Sequence, residues 1–562
     1  MDPSGSGVRM SKVRVRAFTS PAIVLLAFDW PEGKDRSDFL GFAIERSPGF
    51  GGRAKSWLPN RLRFAGPADG DVPSSDYPIQ KFMWWDARVS ASAGTYRYRV
   101  VPVCGAVVND KVGIAEHRNG DAATVTVELP DPVVNGIGTW FNRAVVSSQA
   151  VSRRIGKDGR LTSDEFYDLL GWLGGGMEKV VPSFLRGSVA VDGAVYHLTD
   201  DRWILPAMQS YGRPLSLVYD SNEDSAAVTE SALRSQPGVQ LIARKRGNFM
   251  HNKFLVRRDT ATARPSALLT GSANFTTDGL TTQANLIHTF ESPELADLFY
   301  RRKELLEADP TPAAIGAQAT WSPKIPVGEG SVRVIFAPET RGKRAALERV
   351  IEAVEGATDS VLFCLFSPTD EKLRDAIFEA GDRGRMMFGL VNSISRDEPE
   401  VGPDADAGER TRVALYHRSR SNRDLYSYSL FRKDDVPWGF WWEWASLPGQ
   451  ARKKFPVYIH HKFIVIDAET DHPIVFTGSA NMSSNSTYRN DENLLEIRGE
   501  RQLARTYLAE FFRLYEHYRA RATRQGHEDG RRRLGLARDS SWAKRHFTAG
   551  SPEFRSRTRM VR

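Results

Sequence analysis

Cysteine is nearly absent from this sequence: Cys104 and Cys364 are the only two in 562 residues, and they fall in segments that read as different domains. A disulfide-stapled secreted scaffold is therefore excluded, and the composition suits a reducing compartment. Also missing is any apolar run approaching the roughly 20 residues of a membrane span. The start, MDPSGSGVRMSKVRVR, lacks the apolar core of a secretory signal, and the PAIVLLAF that follows is short enough to be a strand. These absences make the cytoplasm the expected location. Charge of one sign is scarce too, except at one end. Net charge is +8, and from Arg519 to Arg562 thirteen Lys and Arg face four Asp and Glu. The body is thus almost neutral and the excess sits in a basic tail, 521–562, either solvated or suited to nucleic acid or an anionic membrane.

What is present is an ordinary globular composition, 41% hydrophobic and 26% charged, long enough for several domains. Residues 1–10 read as disordered. Over 11–131, FLGFAIERS (39–47), TYRYRVVPV (95–103) and ATVTVEL (123–129) alternate apolar and polar residues as half-buried strands do. With Trp30 and the Tyr96, Tyr98, Val100 alternation, this segment resembles an all-β fibronectin type III or immunoglobulin-like sandwich. That resemblance implies a positioning role or a protein partner, because no catalytic residues gather there.

Beyond Pro130, strands alternate with helices, the signature of an α/β fold. SDEFYDLLGWL (163–173) is helical in period with Ser163 as its N-cap. The first α/β segment is 132–307, a Pro/Ala/Gly-rich linker follows at 308–331, and a second α/β segment fills 332–520. The second carries a long irregular insert, about 393–455, with Trp438, Trp441, Trp442 and Trp444 among arginines; insertions of this kind build binding loops, lids or small satellite cores.

One polar pattern occurs twice. His251-Asn252-Lys253-Phe254 is followed by Thr270-Gly271-Ser272-Ala273-Asn274, and His460-His461-Lys462-Phe463 by Thr477-Gly478-Ser479-Ala480-Asn481. Packing alone does not require histidine, lysine and asparagine at fixed offsets, so the two copies are expected to build one site between them. Period two sends His251 with Lys253, and His460 with Lys462, to one face of a strand, with Asn252 and His461 pointing away. Two lysines, the amides of Asn274 and Asn481 and the hydroxyls of Ser272 and Ser479 suit the non-bridging oxygens of a phosphodiester, and two imidazoles supply proton chemistry. Gln283 stands 32 residues after His251, and Glu492 stands 32 after His460. If each bonds the imidazole of its own half, neutral Gln283 leaves His251 the nucleophile, and anionic Glu492 makes His460 the acid.

These motifs resemble the phospholipase D superfamily, whose signature is His-x-Lys, four residues, Asp, then Gly-Ser-x-Asn. His460, Lys462, Asp467, Gly478, Ser479 and Asn481 match it fully. The first copy departs, with Arg258 where the aspartate belongs and Asp259 one place late. The resemblance implies two pseudo-symmetric α/β halves, a covalent phosphohistidine, a largely structural aspartate, and neither metal nor other cofactor. It leaves the substrate open between a phospholipid, slightly favoured, and DNA or RNA. A third reading is an effector or defence protein that binds its partner through the sandwich.

Overall fold

A computed structural model describes residues 12–90, 94–145, 151, 154–155, 161–394, 406–427, 457–525 and 535–562. The segment read as a disordered start lies outside these residues, as do the four tryptophans of the insert. Two compact units divide the chain: Met1–Asp131 with Arg505–Arg513 and Gly526–Arg562, and Pro132–Ala504 with Leu514–Gln525.

In the first unit the alternating segments are strands. Arg14–Ser20, Ile23–Asp29 and Met83–Asp86 form a three-stranded sheet, and Phe39–Ser47, Thr95–Val108 and Ala123–Glu128 belong to a five-stranded one. Their inward side chains, among them Trp30, Phe39, Phe42, Tyr96 and Tyr98, make an aromatic core, with Trp30 meeting Phe39 edge to face at 4.9 Å. The described end of the basic tail belongs to this core and is not a solvated extension. The Trp542 indole donates to the Phe39 carbonyl at 3.0 Å and stacks on Phe82. Arg557 is spent on buried Asp29, and Arg545 on Glu553. A few apolar anchors, Leu536, Ala543 and Met560, are buried in an otherwise polar stretch, too widely spaced to show as a period.

The second unit contains two eight-stranded mixed sheets. The first uses β1 (Val133–Val134), β2 (Ile137–Phe141), β3 (Ala190–Val195), β4 (Leu215–Asp220), β5 (Val239–Arg244), β6 (Lys253–Arg258), β7 (Pro265–Gly271) and β8 (Leu286–Phe290). The second uses β9 (Ile325–Val327), β10 (Gly330–Ala337), β11 (Ser360–Leu365), β12 (Met386–Val391), β13 (Leu425–Ser427), β14 (Lys462–Ile466), β15 (Ile474–Gly478) and β16 (Glu492–Arg498). The strand orders, β1-β2-β8-β7-β6-β3-β4-β5 and β9-β10-β16-β15-β14-β11-β12-β13, correspond strand for strand.

In each sheet the strand carrying His-x-Lys is central, antiparallel to both neighbours. Helices bury both faces, which is why β11, β12 and β14 read as unbroken apolar runs. The expected linker is partly structured: it supplies helix Pro312–Gly316 and edge strand β9, turned into β10 through Gly328 at φ +60°. Helix Ser163–Gly174 is capped one residue earlier than expected, by Thr162, whose hydroxyl accepts from the Glu165 amide while the Glu165 carboxylate accepts from the Thr162 amide. Within the insert, helix Ala407–Ser421 precedes β13.

Candidate active site

His251 and His460 lie immediately before β6 and β14, and Lys253 and Lys462 are the first residues of those strands. All four are buried. Chain is fixed at both points by the neighbouring strand, since the Tyr196 amide donates to the Asn252 carbonyl and the Phe366 amide to the His461 carbonyl, each at 3.0 Å. The Lys253 ammonium donates to the His251 carbonyl at 2.6 Å. The Lys462 ammonium donates to the His460 carbonyl at 2.9 Å and stands 3.2 Å from His460 Nε2. Imidazoles and ammonium groups therefore converge as the alternation of the strands requires.

The partners behind the imidazoles differ from expectation, because each histidine is held by the opposite sheet. Glu492, at the start of β16, accepts from His251 Nδ1 at 2.8 Å, and Asn285, next to β8, accepts from His460 Nδ1 at 2.9 Å. Neither Gln283 with His251 nor Glu492 with His460 is a pair. Counting from histidine misplaced the first partner, because the hairpin that follows is two residues longer in the first copy. Asn285 and Glu492 each lie thirteen residues after the serine of Thr-Gly-Ser-Ala-Asn, so counting from that serine would have found Asn285. The exchange follows from how the sheets meet: the Ala284 amide donates to Tyr458, the His460 amide to Ala284 and the Asp491 amide to Phe249. Gln283 instead occupies the place of Asn490, and its carbonyl accepts from Asn142 Nδ2 at 2.6 Å.

Ser272 and Ser479, expected on the phosphate, face these partners. Ser272 Oγ donates to Asn285 Oδ1 at 2.9 Å and Ser479 Oγ to Glu492 Oε2 at 2.7 Å, and both serines are fully buried. Their hydroxyls are committed to orienting the groups behind the histidines. Gly271 and Gly478 allow this close approach: a Cβ on either would lie 2.3 Å from the Leu286 carbonyl oxygen or 2.5 Å from that of Asn493. Asn274 and Asn481 keep buried amide oxygens without a hydrogen bond among the described residues. Asn252 and His461 do point away from the histidines, yet both are buried. Asn252 Oδ1 accepts from Asn493 Nδ2 at 2.9 Å, and His461 packs on Phe141 and Phe463.

Asp467 accepts from the amides of Thr358, Asp359 and Ser360 and from the Thr358 hydroxyl, tying the end of β14 to the start of β11. In the first sheet Arg258 fills that position and donates to Asp192 of β3 at 2.7 Å, while Asp259 holds only its own hairpin turn. Two aromatic rings that sequence reading missed flank the histidines. Tyr196 lies 4.9 Å from the His251 ring, and Phe366 lies 5.2 Å from that of His460. Each directly follows the strand paired to a His-x-Lys strand, β3 or β11; that adjacency was their signal.

Burial pushes the His251 imidazole down to about 4, against the opposing pull of Glu492, and the Lys253 ammonium down to about 7. His460 and Lys462 are also driven well down, by burial first and then by neighbouring positive charge. Glu492 stays below its usual value, because His251 and Lys253 outweigh its burial. The site is thus short of negative charge and suited to an anion.

Residues 350–515 match the family described as "Cardiolipin synthase, PLD-like domain", a span that contains the whole second motif. Over that span the chain carries a phospholipase D-like domain. The chain is 41% identical over 61 residues to a mitochondrial cardiolipin hydrolase of Xenopus tropicalis, and the match spans 11% of the chain and 27% of that relative. Among solved structures it is similar to a phosphatidylserine synthase of Haemophilus influenzae Rd KW20, with 13% identity, TM-score 0.42, and 61% of this chain and 85% of that one covered. It is also similar to a phospholipase D family member, Nuc, of Salmonella typhimurium, with 22% identity, TM-score 0.22, and 35% of this chain and 96% of that one covered.

Proposed function

We propose that the second unit is a phosphodiesterase that forms a covalent phosphohistidine on His251, with a phospholipid as substrate. The observation that carries this reading is the pair of imidazoles, each tied through Nδ1 and each beside its own buried lysine. With Nδ1 donating to Glu492, the lone pair of His251 Nε2 is left to attack phosphorus. The Glu492 carboxylate also offsets the positive charge the ring acquires when the N–P bond forms. His460 donates its Nε2 proton to the leaving oxygen as the P–O bond breaks. It then takes a proton from water or an alcohol, whose oxygen bonds to phosphorus as the P–N bond breaks and His251 is restored. Lys253, Lys462, Asn274 and Asn481 balance the charge on the non-bridging oxygens. On this reading His251 keeps the role of nucleophile, although the carboxylate expected behind the acid stands behind it instead.

On this reading the two matching sheets are pseudo-symmetric halves of one catalytic body, and the first unit is a fibronectin- or immunoglobulin-like sandwich that binds a partner or positions the enzyme. The phospholipid assignment draws on the family match and on the cardiolipin hydrolase of Xenopus tropicalis. Purified protein and its His251→Ala variant, incubated in EDTA with cardiolipin vesicles, phosphatidylcholine vesicles and single- and double-stranded DNA, test it. Headgroup release lost in the variant is expected. DNA cleavage lost in the variant, with lipid untouched, replaces phospholipase by nuclease, and turnover that needs added metal overturns the mechanism.

A further inference from the structure

The amide behind His460 has only one orientation that satisfies its neighbours. Asn285 Oδ1 accepts from Ser272 Oγ at 2.9 Å, and Asn285 Nδ2 donates to the Gly279 carbonyl at 3.0 Å. The serine in turn accepts from the Leu286 amide at 3.1 Å, so its proton is directed at Asn285. The Asn285 amide donates to Asn142 Oδ1 at 3.0 Å, which fixes the backbone as well. Asn285 can therefore only accept from His460 Nδ1, in either protonation state. The Lys462 ammonium, donating to the His460 carbonyl, stands 3.2 Å from Nε2 and 3.4 Å from Nδ1, beside the ring, and leaves the choice of tautomer to Asn285. Hydrogen-bond donors and acceptors all agree on one tautomer, with Nδ1–H toward Asn285 and Nε2 toward the reacting atoms.

We propose that Asn285 is a positioning residue that biases His460 toward giving up its proton and against taking one, so that breakdown of the phosphohistidine is slower than its formation. The proposal rests on the phosphohistidine reading above. A neutral amide orients the ring as well as a carboxylate does, but it lacks the charge that stabilises an imidazolium. The charged or titratable groups that act most strongly on His460 are Lys462, Lys253, His251 and His461, none of them an acid, and the nearest carboxylate of the site, Glu492, is bonded to His251. The proton His460 donates is thus held in place by the substrate's own phosphate anion. Once the leaving oxygen has taken it, His460 is a good acid already used and a weak base for the second step. Behind His251 a carboxylate stands in the corresponding place, so the two imidazoles divide the work by what is behind them.

The test is pre-steady-state kinetics on the full chain and Asn285→Asp, with a nitrophenyl phosphodiester, whose leaving group needs no acid, and with an alkyl phosphodiester, whose leaving group does. The wild type is expected to show a nitrophenolate burst close to one per site, with radiolabelled phosphate trapped on His251. In Asn285→Asp the burst shrinks as breakdown accelerates about tenfold. The pH limb for alkyl-ester turnover that requires protonated His460 also moves up by about one to two units, as an adjacent carboxylate dictates. If Asn285→Asp does not fold, Ser272→Ala frees the amide to turn while leaving it neutral, and should lower alkyl-ester turnover while sparing the nitrophenyl burst. Equal loss of formation and breakdown with an unmoved pH profile makes Asn285 a packing residue and overturns the proposal. Label on neither histidine, with activity surviving His251→Ala, instead overturns the phosphohistidine reading beneath it.

Discussion

The two sheets of the second unit place the same residues at the same strand ends and differ in what stands behind them. Behind His251, Glu492 accepts from Ser479, Ser486 and Asn490 as well as from the histidine. Beside it Asp491 is gripped by Arg244 and Arg302. Behind His460, Asn285 is held by Ser272 and by the carbonyl of Gly279, which takes the place of Ser486, and the neighbour is Ala284 in place of Asp491. A repeated scaffold supplies the geometry twice, whereas the charge is installed once. That asymmetry is what allows two otherwise equivalent histidines to do unlike things.

The sharpest way to break the comparison is to remove each imidazole in turn and vary the leaving group. His251→Ala is expected to abolish turnover of every phosphodiester, because no second nucleophile stands in its place. His460→Asn should cost about 10²–10⁴ in rate on an alkyl ester, the range of a lost general acid, yet still release nitrophenolate once per site. Quantifying radiolabel on each histidine after an acid quench checks both. Label on His460 in the His251→Ala variant exchanges the roles and with them the meaning of the carboxylate.

A smaller effect is expected from the ion cluster present on one side only. Asp491 is buried with Arg244 and Arg302, its acidity reduced by burial and restored in part by the two arginines. Asp491→Asn leaves buried Arg302 without its carboxylate and Arg244 with only Asp309, and should destabilise the second unit by about 3–5 kcal/mol. Asn142→Ala removes the support of Asn285, which carries no charge, and should cost only about 1–3 kcal/mol. Urea titrations of both variants, followed by a probe in the second unit, give the ratio. Equal losses would show that the cluster contributes no more than neutral hydrogen bonds.

How much of this was legible in sequence follows from how local each signal is. Period two in TYRYRVVPV and the apolar runs SVLFCL and KFIVI are properties of single strands, so the strands and the pairing of His with Lys on one face could be read directly. The glycines and serines of the repeat could be found but not given a task, since a hydroxyl two residues before an asparagine looks equally able to bind phosphate or a buried partner. The exchange of Glu492 and Asn285 between sheets is a tertiary fact with no local trace. The first hairpin, longer by two residues, further displaced the count from His251 onto Gln283. Trp542, Leu536 and Met560 went unread as core because charged residues separate them, and their partners lie more than 400 residues away.

The smallest contrast concerns the aspartates after each His-x-Lys, Asp467 and Asp259. Asp467 has a left-handed backbone, φ +53°, and gathers three consecutive amides at the start of β11. Without it, three donors at the edge of a buried strand lose their acceptor, and Asp467→Ala should destabilise the second unit by about 2–3 kcal/mol. Asp259 is half-buried and bonds only residues of its own turn, so Asp259→Ala should stay within about 0.5–1 kcal/mol of the parent. Arg258 already makes the equivalent tie to β3 from the other side, through Asp192. If thermal melts instead give equal losses for the two aspartates, Arg258 has not replaced the missing aspartate, and the first copy keeps its fold by some other contact.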